Sequence, residues 1–270
     1  MNLFYRKFGQ GPVLIILHGL YGSSDNWVSI GKVLSEHFEV FLIDLRNHGN
    51  SFHSNEHNYY LLKNDLYEFM LSNQIEKAII IGHSMGGKAA MFFAVDYPEK
   101  VQSLIIIDIS PRSYKSLIKP ESQITDHMNI ISSMLSVDFT KIKSREDVDE
   151  ILSKTIKSVR IRRFLLKNVH RRKDGSFEWK LNLHALHNHL PEIMDGLDPK
   201  KFLNGNGITG FPVLFIKGEK SNYIMEEDLQ IIKTIFPAAD LVSIPGSGHW
   251  LHAEKPDLLL KTLRYFILGN

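Results

Sequence analysis

Gly82-His83-Ser84-Met85-Gly86 carries the strongest structural signal in this chain. It follows the apolar run Ala78 to Ile81 and precedes a segment rich in small residues, Lys88 to Ala94, so the pattern predicts a strand, a sharp turn and a helix. A G-x-S-x-G at such a turn is typical of a nucleophile elbow, in which glycines let the strand and helix approach closely. The strained turn lifts the serine hydroxyl above the sheet, beside the first N–H groups of the helix. Ser84 is therefore the candidate nucleophile.

The length and composition indicate one large α/β domain, or such a core with an insertion. The chain has 270 residues, of which 43% are hydrophobic and 23% charged, with a net charge of +2 and no cysteine. This charge gives no case for nucleic-acid binding, and the lack of cysteine excludes disulfides, thiolate metal sites and a cysteine nucleophile. Met1 to Lys7 does not resemble a signal peptide and no apolar run reaches about 18 residues, so we expect a cytoplasmic protein without membrane insertion.

Buried-strand patterns alternate with helical ones over most of the chain. The strand patterns are continuously apolar, as expected for parallel strands that are covered on both faces. Besides the elbow strand, they cover Leu3 to Phe8, Val13 to Leu17, Phe38 to Asp44, Val101 to Asp108, Val213 to Lys217 and Leu241 to Ile244. The helices are predicted at Asn26 to Glu36, Tyr59 to Asn73, the elbow helix to about Tyr97, Glu226 to Phe236 and Lys255 to Leu268. This alternation predicts a mostly parallel central sheet flanked by helices.

The alternation stops between Ser113 and about Gly207, where charged helical stretches replace it. We interpret residues 112–208 as a helical cap inserted after the strand that ends at Asp108, and residues 1–111 and 209–270 as the core. Within the cap, Phe177 to Leu181 is a candidate short strand. We expect the cap to cover Ser84 and to line an apolar pocket with side chains such as those of Phe164, Leu165 and Trp179.

A serine hydroxyl is a weak nucleophile at neutral pH and needs a general base. His249 lies in a short glycine-flanked loop after the last strand, and the order serine, acid, histidine fits the elbow motif. The acid is less obvious, because Ser221 stands where an acid commonly follows the strand after the cap. Asp108, at the end of the strand next to the elbow strand, is the preferred candidate, and Glu219 is its rival.

The loop His18-Gly19-Leu20 follows an early strand, the position from which this architecture supplies a second oxyanion-hole donor. We therefore expect the backbone N–H groups of Leu20 and Met85 to form the oxyanion hole. Arg46 and His48 follow another strand, but polar residues there more often hold neighbouring loops together than take part in catalysis.

Taken together, these motifs resemble the YbfF-like esterases of the α/β-hydrolase superfamily. The likeness covers nearly the whole chain, and its combination of motifs is far more specific than the elbow alone. It is carried by the stretches His18 to Trp27, Asp44 to Gly49, Gly82 to Met91, Asp108 to Pro111, Phe177 to Asn182 and Gly246 to Trp250. The resemblance implies that Asp108 is the triad acid and that Ser221 supports the triad by hydrogen bonding. It also implies a cofactor-free hydrolase of short-to-medium acyl esters, with acyl-CoA thioesters as a further substrate class.

Two other features are open to functional and structural interpretations. A basic run in the cap could hold the phosphates of a CoA ester, although such a run is usually a solvated helix face. It consists of Lys154, Lys157, Arg160, Arg162, Arg163, Lys167, Arg171, Arg172 and Lys173. His184, His187 and His189 could suggest a metal site, but no matching carboxylate motif accompanies them, so surface histidines are expected and no metal.

Two alternative functions remain at this point. The same fold supports C–C bond hydrolysis of a keto compound, whereas epoxide and haloalkane hydrolysis usually need an aspartate at position 84. A non-catalytic ligand receptor that keeps the scaffold is the rival from a different class, although an intact triad argues against it. Nothing in the sequence indicates a particular oligomeric state.

Overall fold

The computed structural model describes residues 2–115, 123–205 and 207–269. The strands are β1 Tyr5–Phe8, β2 Val13–Leu17, β3 Glu39–Ile43, β4 Ala78–His83, β5 Val101–Ile107, β6 Val169–Arg171, β7 Phe177–Trp179, β8 Val213–Gly218 and β9 Asp240–Ile244. The helices are α1 Val28–Leu34, α2 Tyr59–Ser72, α3 Met85–Asp96, α4 Gln123–Leu135, α5 Arg145–Ser153, α6 Val159–Leu166, α7 Leu183–Asn188, α8 Leu190–Ile193, α9 Asp228–Ile235, α10 Leu251–Glu254 and α11 Pro256–Leu268.

Seven strands form one sheet in the order β1-β3-β2-β4-β5-β8-β9. Only β1 runs antiparallel to its neighbour, and every other pair in this sheet is parallel. The predicted mostly parallel sheet flanked by helices is therefore confirmed. Because parallel strands share one direction, the loops after β2, β4, β5, β8 and β9 meet at a single edge of the sheet, where ligands of α/β proteins bind.

Apolar side chains cover both faces of the sheet, as the continuously apolar strands require. On one face, Ile15 and Leu17 of β2 belong to a core that includes α2 and α3. On the other face, Leu14 and Ile16 belong to a core that includes α1 and α11. The site described below therefore stands on a framework that is buried on both sides.

The first helix differs from the prediction of one helix over Asn26 to Glu36. A single 3₁₀ turn, Ser24–Trp27, precedes α1. Ser23 and Asn26 cap this turn reciprocally, and the Ser23 N–H donates to Asn26 Oδ1 at 2.8 Å. The capped turn buries Trp27 before the α-helix begins.

The chain between β5 and β8 contains α4 to α8 and the antiparallel hairpin of β6 and β7. The predicted short strand at Phe177 to Leu181 is present as β7, whereas its partner β6 was not anticipated. Several contacts tie this segment to the core: Lys88 Nζ donates to the carbonyl oxygens of Arg112, at 2.6 Å, and of Asp195. The division into core and cap stays a prediction, and residues 116–122 and 206 of the predicted cap lie outside the described residues. Within the described ranges, no helix is both long and apolar enough to cross a membrane.

Candidate active site

The elbow holds Ser84 in a conformation that residues other than glycine rarely adopt. Its φ is 52° and its ψ is −120°, at the junction of β4 and α3. The turn also needs glycines on both sides. A Cβ on Gly82 would lie 2.4 Å from the Gly86 carbonyl oxygen, and one on Gly86 would lie 2.4 Å from the Leu17 carbonyl oxygen. Backbone strain and close packing thus present the Ser84 hydroxyl at the edge of the sheet.

His249, in the loop after β9, joins Ser84 to Asp108. Its Nε2 lies 3.0 Å from Ser84 Oγ, and its Nδ1 lies 2.8 Å from Asp108 Oδ2. Because an ionised carboxylate only accepts hydrogen bonds, this contact places the imidazole proton on Nδ1 and leaves Nε2 able to accept the serine proton. The structure therefore brings the three predicted residues together from the ends of β4, β5 and β9.

Asp108 is fully buried and, like Ser84, has a φ of 52°. Its carboxylate is surrounded by donors. The Gly218 N–H donates to Oδ1 at 2.8 Å, and the Ser221 hydroxyl donates to Oδ2, the same oxygen that faces His249. The Ser221 hydroxyl is thus bonded to the carboxylate of the predicted acid. Glu219 is exposed, and its carboxylate accepts from the Gly246 N–H at 2.7 Å.

The two predicted oxyanion donors lie next to Ser84. Met85 is the first residue of α3, so its N–H has no acceptor within the helix. Leu20, Met85 and Ser84 all line one small cavity of about 10 Å³. This arrangement suits two N–H groups that would receive negative charge on a substrate oxygen.

Two buried histidines hold the loop that carries Leu20. The Leu45 N–H donates to His18 Nε2 at 3.0 Å, and the Tyr21 N–H donates to His48 Nε2 at 3.3 Å. Burial lowers the pKa of both imidazoles, so they stay neutral and can accept these bonds. His48 thus holds a neighbouring loop, and Arg46 pairs with Asp65 at 2.5 Å.

Three further residues contact His249 or its neighbours and were not anticipated. The Tyr223 ring stacks on the His249 ring, with centroids 3.9 Å apart and planes 20° apart. The Tyr223 hydroxyl lies 3.0 Å from Nε2 of His127, which α4 supplies. His83 Nε2 lies 2.8 Å from the His249 carbonyl oxygen and donates to it. His83 occupies the variable position of the elbow motif, and Tyr223 follows Ser221 by two residues. Their places beside predicted site residues are the only signal in the sequence that could have found His83 and Tyr223. No sequence periodicity predicts the contacts that they make.

Ser84 lines a cavity of about 350 Å³. The α4 and α6 helices contribute apolar side chains to its lining, those of Ile130, Ile161, Phe164 and Leu165, together with the polar ones of Asp126, His127 and Arg160. Trp27, His83 and His252 also line the cavity. Phe164 and Leu165 therefore lie where we expected, but the expectation for Trp179 is wrong. That indole packs against Phe139, and its N–H donates to the Met134 carbonyl at 3.1 Å.

Three of the nine residues of the basic run in the predicted cap form ion pairs. Arg160, at the cavity wall, forms an ion pair with Glu254 at 3.0 Å and lies over the Trp250 ring. Arg162 pairs with Asp149 at 2.7 Å, and Arg172 pairs with Glu178. Carboxylates of the protein itself thus neutralise these three charges.

The structure brings no metal-ligand set together around the predicted surface histidines. His189 Nε2 lies 3.0 Å from the Asn55 carbonyl oxygen. Across the described ranges, no group of three histidine, aspartate or glutamate side chains could hold a metal ion.

Comparisons with known proteins agree with this geometry. A family model described as the alpha/beta hydrolase fold matches residues 12–132. A putative esterase/lipase of Haemophilus influenzae is 38% identical, over 96% of this chain and 84% of that protein. Esterase YbfF of Escherichia coli is 31% identical, over 94% of this chain and 92% of that protein.

One solved structure is similar over its whole length. It is described as a marine microorganism esterase and shares 44% sequence identity, with a TM-score of 0.92, covering 99% of this chain and 100% of that one. The sequence identities and the topology of the sheet support the same family assignment. This chain belongs to the α/β-hydrolase superfamily and, within it, to the YbfF-like esterase family.

Proposed function

We propose that this protein is a serine esterase that hydrolyses short-to-medium acyl esters through Ser84, His249 and Asp108. The chain belongs to a family of carboxylic ester hydrolases, and these three side chains would carry out the hydrolysis. The observation that carries it is the unbroken chain of contacts from Ser84 Oγ to His249 Nε2, at 3.0 Å, and from His249 Nδ1 to Asp108 Oδ2, at 2.8 Å. A nucleophile, its base and the group that orients the base are thus within hydrogen-bond reach of one another.

The reaction begins when Ser84 Oγ attacks the acyl carbonyl and His249 Nε2 takes the hydroxyl proton. The carbonyl oxygen becomes an oxyanion, which the N–H groups of Leu20 and Met85 stabilise. His249 is now an imidazolium, and the Asp108 carboxylate stabilises its positive charge without taking the proton. The intermediate collapses when the bond to the leaving oxygen breaks and His249 returns its proton to that oxygen. The alcohol leaves, and the acyl group stays on Ser84.

Water completes the cycle. His249 takes a proton from a water molecule, whose oxygen attacks the acyl-enzyme carbonyl, and a second oxyanion forms in the same hole. Collapse of this intermediate breaks the bond to Ser84 Oγ, which recovers its proton from His249, and the carboxylic acid leaves. A thioester passes through the same steps with a thiol as its leaving group, so acyl-CoA thioesters are included in the proposed substrate class.

The proposed size limit rests on the cavity. Its volume of about 350 Å³ lies at the small end of ligand pockets, and α4 and α6 contribute apolar side chains to its lining. We therefore expect short and medium acyl groups to react faster than long ones. Long-chain triglycerides should react slowly. Their hydrolysis should show no interfacial activation, that is, no rise in rate at a lipid–water interface.

The test is a hydrolysis screen of aryl esters of graded acyl length beside acyl-CoAs. Ser84→Ala should abolish turnover of every substrate that the wild type cleaves. Ser153→Ala is the matched control, because Ser153 lies on α5 away from the cavity lining and its hydroxyl donates to the Glu150 carbonyl. The proposal would be refuted if the wild-type protein cleaved none of these substrates. It would also be refuted if the Ser84→Ala variant retained the wild-type rate.

A further inference from the structure

We propose that Tyr223 is a positioning residue for the reaction, because its ring fixes the plane of the His249 imidazole and stabilises the charged form of that imidazole. His127 holds the Tyr223 ring in place. This inference rests on the proposed esterase function, since it concerns the general base of that reaction. His127 comes from α4 in the predicted cap, so a side chain of that segment helps to place the base.

The Tyr223 ring covers one face of the His249 imidazole. The two ring centroids are 3.9 Å apart and the planes are 20° apart, so the rings lie nearly parallel. The contacts of the imidazole with Ser84, at 3.0 Å, and with Asp108, at 2.8 Å, run outward from the edge of the ring. Two contacts at its edge leave the ring free to tilt about the line that joins them. A ring stacked on its face restrains this tilt.

The stacking also favours the charged form of the base. When His249 takes the serine proton, its positive charge lies over the face of the Tyr223 ring, whose π electrons attract cations. The neutral imidazole of the resting enzyme is attracted less, so the contact becomes stronger towards the transition state and raises the rate. The rings of His83 and Trp250 lie farther from His249, at 4.8 and 5.7 Å, and are tilted by 40° and 70°. Tyr223 therefore provides the closest stacking contact among the described rings.

Tyr223 is itself held from two directions. Its hydroxyl lies 3.0 Å from Nε2 of His127. Burial lowers the pKa of His127 to about 4, so this imidazole is neutral near pH 7, and its Nε2 can accept the hydroxyl proton. The backbone N–H of Tyr223 donates to Ser221 Oγ at 3.3 Å, and its carbonyl oxygen accepts from the Tyr114 hydroxyl. Bonds to the backbone and to the tip of the side chain thus fix the ring over the base.

The experiment compares Tyr223→Leu, which removes the ring, with Tyr223→Phe, which keeps the ring and loses only the hydroxyl. The measured quantities are kcat and KM on one aryl ester and the rate at which a fluorophosphonate labels Ser84, with thermal unfolding to establish that each variant folds. Tyr223→Met replaces Tyr223→Leu if the latter does not fold. Tyr67→Leu is the matched control, because Tyr67 stacks on Tyr97 in a similar way, at 4.4 Å and 22°, but does not line the catalytic cavity.

We expect Tyr223→Leu to lower kcat and the labelling rate by about ten- to thirtyfold, the combined effect of a lost aromatic stack and a lost cation–π contact. Tyr223→Phe should lower both by only about two- to fivefold, because the ring remains. The loss should fall mainly on kcat, with KM changed by less than about threefold, since the stack is strongest in the transition state. Tyr67→Leu should leave all three quantities within about twofold of the wild type.

The link to His127 is tested with a double-mutant cycle. His127→Leu should lower kcat by about two- to fivefold, as Tyr223→Phe does, because each removes one partner of the same hydrogen bond. The double variant should then be no slower than the slower single variant. If the two effects multiplied instead, His127 would act independently of Tyr223 and its assigned part would be wrong. His127→Phe takes the place of His127→Leu if that variant does not fold.

A folded Tyr223→Leu variant with kcat and labelling rate within about twofold of the wild type would overturn the proposal for Tyr223. Equal losses in Tyr223→Leu and Tyr223→Phe would also overturn it, because the hydroxyl and not the ring would then carry the effect. In either case, ester hydrolysis by the wild type and its loss in Ser84→Ala would still support the esterase proposal. If the wild type neither cleaved any ester nor reacted with the fluorophosphonate, the proposed function itself would be refuted.

Discussion

The ends of β5 and β8 each carry an acid within reach of the catalytic edge, and their surroundings differ sharply. Asp108, after β5, is fully buried and accepts from Gly218, Ser221 and His249. Glu219, after β8, is exposed and accepts from the Gly246 N–H. Only the first carboxylate is held on several sides and directed at the imidazole.

The difference shows what qualifies a carboxylate to serve a catalytic histidine. An imidazolium that forms during the reaction is stabilised most by a fixed negative charge in a place that water does not screen. Asp108 meets both conditions, whereas solvent screens the charge of Glu219.

Asp108→Asn should lower kcat/KM by about 10³- to 10⁴-fold, because the neutral amide does not stabilise the imidazolium and favours the wrong tautomer of His249. The measurement is the hydrolysis rate of an aryl ester, with circular dichroism and thermal unfolding to establish that the variant folds. A folded Asp108→Asn variant with near wild-type activity would contradict the assignment.

Ser221→Asp, added to Asp108→Asn, should restore about ten- to a hundredfold of the lost rate. Ser221 Oγ bonds the same Asp108 oxygen that faces His249, so a carboxylate at position 221 comes close to the imidazole. Recovery should be incomplete, because the two loops present their carboxylates at different distances. If the double variant and Asp108→Asn had equal rates, a carboxylate at position 221 would not be able to orient the His249 imidazole.

Ser221→Ala should lower kcat by about tenfold, since Asp108 loses one of its donors but keeps Gly218 and His249. Ser133→Ala is a matched control, because Ser133 is also a buried serine but lies on α4 and does not line the catalytic cavity. The measurement is the steady-state kcat of both variants on the same aryl ester. Equal rates for the two variants would mean that the Ser221 hydroxyl does not support the acid.

Glu219→Gln should change kcat/KM by less than about twofold, because an amide oxygen can still accept from the Gly246 N–H and the exposed charge is screened. The measurement is the same aryl-ester assay. A loss comparable with that of Asp108→Asn would reverse the comparison and make Glu219 the acid.

The sequence predicted the sheet, the elbow and the position of His249, because these depend on local patterns. Apolar runs define buried strands, and the spacing of Gly82, Ser84 and Gly86 defines the turn. The preference for Asp108 over Glu219 also came from its place at a strand end, and the family resemblance strengthened it.

The contacts around His249 could not be predicted in the same way. Tyr223 stacks on the imidazole from a loop after β8, and His127 reaches Tyr223 from α4. These residues meet only in three dimensions, through side chains whose directions no periodicity specifies. The same holds for Trp179, an aromatic residue whose environment depends on how the hairpin of β6 and β7 packs.

The most direct test of the central claim is the rate at which a fluorophosphonate labels the protein, because it needs no knowledge of the natural substrate. Mass spectrometry should find a single label, on the peptide that contains Ser84, in the wild type and in Glu219→Gln at similar rates. Asp108→Asn should be labelled at the same serine but slower by orders of magnitude, since His249 no longer activates it efficiently. A label on another residue, or slow labelling of Glu219→Gln together with normal labelling of Asp108→Asn, would contradict the account.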